Sequence, residues 1–409
     1  MSLLERLRAE IAQTGPMSVA DYMTRCLHDP QDGYYATRPS LGEGGDFITS
    51  PLISQMFGEL LGVWAVETWT RMGKPDAFRL VEMGPGDGTL MSDLLRTVRL
   101  APDFVAACEV WMIETSWPLR AVQKEKLAGM TPEPNWTGSL DNLPGGLPVI
   151  LIANELLDCL PARQFVHAEG GWIERLVGLG EDGGLAFGLA PTPTGATPPR
   201  KAGGGAMARP PAGGAKPVPA TAAPDKPAPP KIAQPAKPAG ADAIARPPTG
   251  AIPPPDSPVL EVSAAQEALG TQLGELIATE GGAALLIDYG RGGPEFGDTL
   301  QAIRKHEKVD PLAFPGESDL TVYADFPTVR DAARKAGAEA TDPIAQGLFL
   351  GMLGIQHRAE ALKTARPDRA GVIDRQLIRL ISPDEMGELF KAACIHSPDL
   401  VPPGFEAAG

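Results

Sequence analysis

The feature that most constrains this chain is a glycine-rich turn, Gly84-Pro85-Gly86-Asp87-Gly88, between two regular segments. The apolar run 78–83 before it predicts a buried strand, and the leucine spacing after Thr89 predicts a helix. Glycines let the backbone approach a ligand where any Cβ would collide, and a helix start points free N–H groups at that ligand. The stretch therefore predicts a strand–turn–helix unit that binds a small molecule.

The glycine spacing narrows the choice of ligand. A dinucleotide-binding turn carries G-x-G-x-x-G, which would place its third glycine at Thr89, whereas here it is Gly88. The form E-x-G-x-G-x-G from Glu82 is typical of Rossmann-like S-adenosylmethionine-dependent methyltransferases. No Lys-Ser or Lys-Thr follows, so the turn is not a P-loop. From this stretch alone, a structural turn or a site for another nucleotide stays open.

Composition indicates a soluble globular protein of 409 residues, 43% of them hydrophobic. No apolar run approaches the ~18 residues of a membrane span. The first residues resemble neither a signal peptide nor a transit peptide, and we expect a cytoplasmic protein. The four cysteines form no C-x-x-C pair, which predicts neither disulfides nor a metal site.

The net charge of −15 argues against a nucleic-acid partner. It is compatible with a basic protein substrate and equally with ordinary acidity.

Periodicity predicts alternating helices and strands on either side of one unusual segment. Pro191–Ser257 contains 19 of the chain's 43 prolines, and we predict a disordered insertion there. We predict an N-terminal helical cap (1–75) and a main domain in two parts (76–190 and 258–409). The insertion (191–257) lies between these two parts. The predicted helices are 2–13, 18–28, 51–71, 117–127, 264–279, about 328–337, 344–354 and 383–393. The predicted strands are 110–113, 136–143, 147–153 and 284–290, with a hairpin over 163–189.

Polar residues follow several predicted strands, and ligands of parallel α/β sheets bind outside the carboxyl ends of the strands. Glu114 stands where an acidic side chain accepts hydrogen bonds from ribose hydroxyls. The other candidate ligand contacts at strand ends or polar turns are Asp46, Asp141, Asn142, Asn154, Glu155, Asp158, Asp288 and Tyr289. Each also has an ordinary interpretation: residues 154–158 as a helix cap, 288–290 as a strand-end turn. His306 is more typical of a surface or core histidine than of a catalytic base.

The order of the motifs is more specific than any one of them. Together they resemble the MidA family of S-adenosylmethionine-dependent methyltransferases, relatives of the mitochondrial complex I assembly factor that dimethylates an arginine on a core subunit. The resemblance covers nearly all of the chain except 191–257. Leu52 stands where we expect Glu, and Ala324 where Val is commoner. The motifs are GYY (33–35), GDFITSP-x-ISQMFGE (45–59), E-x-GPGDGTL (82–90), NELLDCLP-x-x-QF (154–165), DYG (288–290), PGESDLT (315–321) and FLGMLGI (349–355).

The resemblance implies a class I α/β methyltransferase: a doubly wound, mostly parallel, seven-stranded Rossmann-like sheet with an N-terminal helical cap. It implies S-adenosyl-L-methionine as cofactor and a protein arginine, on a complex I core subunit, as acceptor. The implied cofactor contacts are Glu82, Gly84, Pro85, Gly86, Gly88, Thr89, Glu114, Asp141 and Asn142. Catalysis would fall to Glu155 and Asp158, which clamp the guanidinium, with Asn154. Substrate contacts would include Asp46, Asp288 and Tyr289.

Three alternatives stay open. A small-molecule methyltransferase would share every cofactor motif. A non-catalytic assembly protein with a degenerate fold is opposed by the intact Gly84, Gly86, Gly88 and Glu114. An NAD-dependent oxidoreductase is disfavoured by Thr89.

Overall fold

The computed structural model describes residues 1–37, 49–168, 171–191, 258–293 and 296–406. The predictions for Asp46 and for 192–257 therefore lie outside the described residues. The helices are α1 (Leu3–Thr14), α2 (Val19–His28), α3 (Tyr34–Thr37), α4 (Ser50–Ile53), α5 (Gln55–Arg71), α6 (Thr89–Val98), α7 (Pro102–Ala107), α8 (Trp117–Lys126), α9 (Ala264–Glu280), α10 (Phe326–Lys335), α11 (Gln346–Met352), α12 (Ile355–Ala365), α13 (Ala370–Ile381) and α14 (Met386–Leu389). The strands are β1 (Met17–Ser18), β2 (Phe78–Met83), β3 (Cys108–Ile113), β4 (Asn135–Thr137), β5 (Val149–Asn154), β6 (Arg163–Ala168), β7 (Gly171–Leu179), β8 (Leu185–Leu189), β9 (Val259–Val262), β10 (Gly282–Arg291), β11 (Gln301–Arg304), β12 (Glu307–Val309), β13 (Asp319–Thr321), β14 (Ala324–Asp325), β15 (Glu339–Ala340), β16 (Ile344–Ala345) and β17 (Phe390–His396).

The main sheet has the strand order β15-β17-β10-β5-β2-β3-β4. The five strands from β10 to β4 are parallel to one another, and β17 runs antiparallel to β10. The Rossmann-like, mostly parallel α/β architecture is thereby confirmed. Within the described ranges the sheet has nine strands rather than seven, because the two-residue strands β14 and β16 pair with β10 and β17 beside the main path.

Helices cover both faces of this sheet, as the alternation of strand side chains requires. Leu80 and its neighbour Val81 are both fully buried and belong to different apolar clusters. The cluster of Leu80 includes side chains of α5 and α6, and that of Val81 includes side chains of α9 and α10. Burying each of these side chains contributes roughly 1.5–3 kcal/mol. The sheet is therefore doubly wound.

The N-terminal helices form where their capping residues predict. Ser2 and Glu5 form a capping box on α1, and the Ser18 hydroxyl accepts a hydrogen bond from the Asp21 amide at the start of α2. The apolar faces of these helices pack beside a second sheet, five-stranded and antiparallel, with β8 on β7 and the order β1-β7-β6-β9. The predicted hairpin 163–189 is part of this sheet. Because β6 pairs with β9, the sheet includes strands from both sides of the insertion.

Three predicted elements are wrong in extent or type. The helix predicted for 51–71 is broken at Ser54, which is extended and caps α5. The strand predicted for 136–143 ends at Thr137 and is followed by a 3₁₀ turn, Leu140–Asn142. The helix predicted for 383–393 ends at Leu389, and Phe390–His396 is instead a buried strand paired with β10. Across the described ranges, no helix is long and apolar enough to cross a membrane.

Candidate active site

The parallel register brings the predicted strand ends together at one edge of the sheet. Met83 on β2 lies opposite Ile113 on β3, and Asn154 on β5 lies opposite Ile287 on β10. Beyond the strands, the Gly84 amide donates to the Ile113 carbonyl (3.0 Å) and the Glu155 amide donates to the Ile287 carbonyl (2.8 Å). This edge, outside the carboxyl ends of the strands, borders a cavity of about 230 Å³.

The cavity is acidic. Six of its lining residues are carboxylic acids, and none of the described lining residues is Lys or Arg. The acids come from three regions: the main sheet, the turns that follow its strands, and β13, whose sheet has the order β12-β11-β13. They are Glu82, Asp87, Glu114, Glu155, Asp158 and Asp319. Such a lining favours cationic ligands, because the charges reinforce one another in a partly water-excluded space.

The glycine turn has the backbone that its sequence predicts. Gly84, Gly86 and Gly88 have φ of 70°, 53° and 83°, a region that residues with a Cβ rarely adopt. A Cβ on Gly84 would also lie 2.9 Å from Leu156 Cδ1. Asp87 closes the turn: it accepts from the Thr89 amide (3.0 Å) and pairs with Lys126 (2.6 Å). Gly84, Pro85 and Gly86 line the cavity, whereas Gly88 and Thr89 lie outside its lining, at the start of α6.

Glu82 is a buried carboxylate at the cavity wall, 3% exposed. Burial raises its pKa well above the ordinary value, and the neighbouring charge of Asp87 raises it further. Its Oε2 has no hydrogen-bond partner among the described residues. Buried polar atoms are nearly always hydrogen-bonded, so this oxygen indicates a donor that a ligand supplies.

Glu114 lies on the same wall, and its hydrogen-bond partners were not predicted from the sequence. Its Oε1 accepts from the Ser116 amide (2.7 Å) and its Oε2 from Gln123 Nε2 (3.1 Å). The same Gln123 nitrogen donates to the Gly86 carbonyl (2.7 Å), and its oxygen accepts from Trp136 Nε1 (3.0 Å). Gln123 is fully buried on α8 and therefore ties the glycine turn to Glu114. Its one sequence signal is a polar residue on the buried side of that helix.

The turn after β5 presents Glu155 in an unusual conformation. Glu155 has φ of 52°, which a non-glycine residue adopts only when its surroundings impose it. Its Oε1 accepts from the Ser50 amide and from Asn154 Nδ2, both at 2.9 Å. Burial raises the pKa of Glu155 to about 7. The Asn154 Oδ1 is buried without a partner within the described chain, and both residues line the cavity.

Asp158 lines the cavity, whereas Asp288 is buried and holds the backbone of the turn that contains Asp158. Asp288 Oδ2 accepts from the amides of Leu157 (2.7 Å) and Asp158 (3.2 Å), and its Oδ1 accepts from the Tyr289 amide (2.8 Å). Burial raises the pKa of Asp158 to about 6, although a hydrogen bond from Tyr289 opposes the increase. Residues 155–160 form no helix, so Glu155 and Asp158 are not helix caps.

Besides Gly88 and Thr89, four predicted ligand contacts lie outside the cavity lining. Asp141 and Asn142 are exposed on the 3₁₀ turn, and Gly138 lines the cavity instead. Asp288 and Tyr289 are buried, and the Tyr289 ring packs on Tyr323 and Phe390. His306 is exposed at the turn between β11 and β12. Leu52, by contrast, lines the cavity.

Three further residues line the cavity without a role predicted from the sequence: His28, Tyr35 and Asp319. The Tyr35 hydroxyl donates to Asp319 Oδ1 (3.1 Å). Burial lowers the pKa of His28, which favours the neutral ring. The signal for two of them was in the motifs 33–35 and 315–321, whose residue types alone do not reveal that they meet.

Comparisons with known proteins agree with this architecture. The model of a family described as S-adenosyl-L-methionine-dependent methyltransferases matches residues 60–344. The Danio rerio protein named protein arginine methyltransferase NDUFAF7, mitochondrial, is 32% identical over 416 residues, which is 95% of this chain and 86% of that protein. Its Homo sapiens counterpart is 33% identical over 418 residues, 95% of this chain and 82% of that protein.

A crystal structure of a COG1565 superfamily member from Burkholderia thailandensis, bound to S-adenosyl-homocysteine, has a TM-score of 0.75. It is 25% identical and covers 100% of this chain and 95% of that chain. One expectation is wrong: these curated relatives are named mitochondrial proteins, which contradicts the cytoplasmic location expected from the sequence.

Proposed function

We propose that this chain, which belongs to the family of S-adenosyl-L-methionine-dependent methyltransferases, methylates an arginine side chain of a protein. The observation that carries the proposal is the cavity lined by six carboxylic acids and, among its described lining residues, by no Lys or Arg. S-adenosyl-L-methionine carries a sulfonium and an amino group, and arginine carries a guanidinium. All three are cations, and the cavity is suited to holding them next to one another.

The residues of the glycine turn and their neighbours in the cavity fit the cofactor. The positive-φ glycine turn leaves room for a ligand against the backbone, and Glu82 Oε2 supplies an unpartnered buried acceptor for an ammonium group. Glu114, anchored by Ser116 and Gln123, is positioned to accept from ribose hydroxyls. When bound, S-adenosyl-L-methionine supplies an electrophilic methyl group.

The carboxylic acids of the turn after β5 fit the acceptor. A guanidinium with a pKa above ~12 is a poor nucleophile until its charge is localised away from the attacking nitrogen. Glu155 and Asp158 would bind its N–H groups through charge-assisted hydrogen bonds and so orient one nitrogen. As the N–C bond replaces the bond between the methyl carbon and sulfur, that nitrogen would lose a proton. Glu155, with its pKa raised to about 7, is matched to take it up at neutral pH.

The acceptor protein belongs to the same proposal. The curated relatives are named protein arginine methyltransferases, which supports a protein rather than a small-molecule acceptor. The family resemblance implies a complex I core subunit, and we propose that subunit as the substrate.

Transfer from labelled S-adenosyl-L-methionine into a lysate of cells lacking this protein tests the acceptor class. We expect one labelled protein band, identified by mass spectrometry as a complex I subunit. Label confined to small molecules would contradict a protein acceptor.

A further inference from the structure

Two sequence motifs, 33–35 and 315–321, have no role in the mechanism above, yet both reach the cavity. We propose that Asp319 is a third carboxylate that binds the acceptor guanidinium and that Tyr35 positions it. This inference rests on the proposed function, because it concerns how the same site recognises arginine.

Asp319 reaches the cavity from outside the main sheet. It is the first residue of β13 and lies opposite Ile303 of β11. It is 6% exposed, and the Tyr35 hydroxyl donates to its Oδ1 over 3.1 Å. Burial and then the Asp319 charge raise the pKa of Tyr35 well above its ordinary value, so the hydroxyl remains a donor.

The two motifs are locked together by a close backbone contact. A Cβ on Gly316 would lie 2.2 Å from the Asp32 carbonyl oxygen, and Gly316 has φ of 77°. Glycine therefore lets the loop before β13 rest directly on the loop before α3. This contact sets the distance between Tyr35 and Asp319 through the backbone rather than through flexible side chains.

Tyr35 also links the residues proposed for the acceptor to those proposed for the cofactor. Its carbonyl accepts from the Ser116 hydroxyl (2.8 Å), and the Ser116 amide donates to Glu114 (2.7 Å). The Val322 amide, directly after β13, donates to the Asp158 carbonyl (2.9 Å), so β13 contacts the turn that contains Asp158. Asp319 therefore lies on the strand that borders Asp158.

A third acceptor group has a chemical reason. A guanidinium has five N–H donors in one plane, more than one carboxylate can satisfy. With Asp158 and Asp319 holding the donors of the other nitrogens, Glu155 is free to receive the proton released at the methylated one. A lysine ammonium carries its three donors on one atom, whereas the guanidinium spreads five across a plane that several carboxylates can surround.

The test measures binding of Nα-acetyl-L-arginine amide and of its neutral citrulline counterpart to protein saturated with S-adenosyl-homocysteine, by calorimetry. Asp319→Asn keeps an oxygen for the Tyr35 hydroxyl and removes the charge. We expect it to weaken the arginine probe about tenfold or more, and Tyr35→Phe to weaken it about two- to tenfold. Glu317→Gln is the matched control, since that exposed carboxylate, two residues before Asp319, pairs with Arg304 and should change nothing.

The outcomes separate this inference from the proposed function. If wild-type protein prefers arginine to citrulline and Asp319→Asn binds arginine equally well, Asp319 is not an acceptor group and the proposed function survives. If wild-type protein does not distinguish the probes, the arginine acceptor itself is contradicted. If Asp319→Asn loses S-adenosyl-homocysteine in parallel, the residue supports the fold and the inference is overturned. Selective loss of arginine binding supports it.

Discussion

Replacing Glu155 by Gln removes one charge from the proposed acceptor site and changes little else in the structure. The Gln oxygen can still accept from the Ser50 amide and from Asn154, the two partners of Glu155 Oε1. The side-chain length is unchanged, and both residues face the same strain at φ of 52°. The variant therefore isolates the effect of the carboxylate charge on the acceptor.

The expected loss follows from the burial of this group. Breaking one side of a buried charged pair costs roughly 2–5 kcal/mol, because the remaining charge is left without its partner. If the carboxylate contributes that much in the transition state, the transfer rate falls by about thirtyfold to several thousandfold. Cofactor affinity should hardly change, since the contacts proposed for the cofactor are Glu82, Glu114 and the glycine turn.

Single-turnover transfer to the acceptor protein, with S-adenosyl-homocysteine affinity measured in parallel, tests this prediction. Asp158→Asn should behave like Glu155→Gln. Glu59→Gln serves as the control, because Glu59 pairs with Arg358 outside the cavity and its loss should leave the transfer rate unchanged. Wild-type rates in both Glu155→Gln and Asp158→Asn would refute the carboxylate clamp.

Three further predictions address the cofactor site, the insertion and pH. S-adenosyl-L-methionine at a hundredfold excess over Kd should stabilise the protein by about 2.7 kcal/mol in thermal unfolding. Gly86→Val should abolish that gain while circular dichroism stays unchanged, and stabilisation by NADH in place of S-adenosyl-L-methionine would contradict the site. Deleting 191–257 should leave the melting temperature and cofactor affinity nearly unchanged, since loop length contributes only a slowly growing closure entropy; insoluble protein would show that the segment packs. The pKa of Glu155 is raised from 4.5 to about 7, so the native state retains a proton that the unfolded chain loses within this window. The free energy of unfolding should therefore fall by up to about 3 kcal/mol as pH rises through the window, and identical pH profiles of wild type and Glu155→Gln would contradict the raised pKa.

Short-range sequence patterns predicted the elements that form the proposed cofactor site. The glycine turn, β2, β3 and β5 follow from short-range patterns whose backbone requirements are intrinsic. The C-terminal part depends more on tertiary context. Residues 390–396 form β17 because β10 offers them a buried ladder, which outweighs the helical tendency of their alanines. The helices over 355–381 were not predicted at all.

The site shows the same division between local and distant information. Glu155 and Asp158 were predicted to face the cavity because they follow a strand whose direction was evident. Asp141 and Asn142 were misplaced by the overlong strand 136–143, which in the structure ends at Thr137. Tyr35 and Asp319 meet across 284 residues of sequence, a juxtaposition that no spacing within either motif encodes.

Amino-acid analysis of the enzymatically methylated acceptor tests the central claim most directly. Purified protein, labelled S-adenosyl-L-methionine and the complex I core subunit proposed as the acceptor would be incubated, and the product hydrolysed and separated against methylated standards. The cavity of six carboxylic acids predicts label in methylarginine. Label in methyllysine, in another residue or in no protein residue would contradict the account.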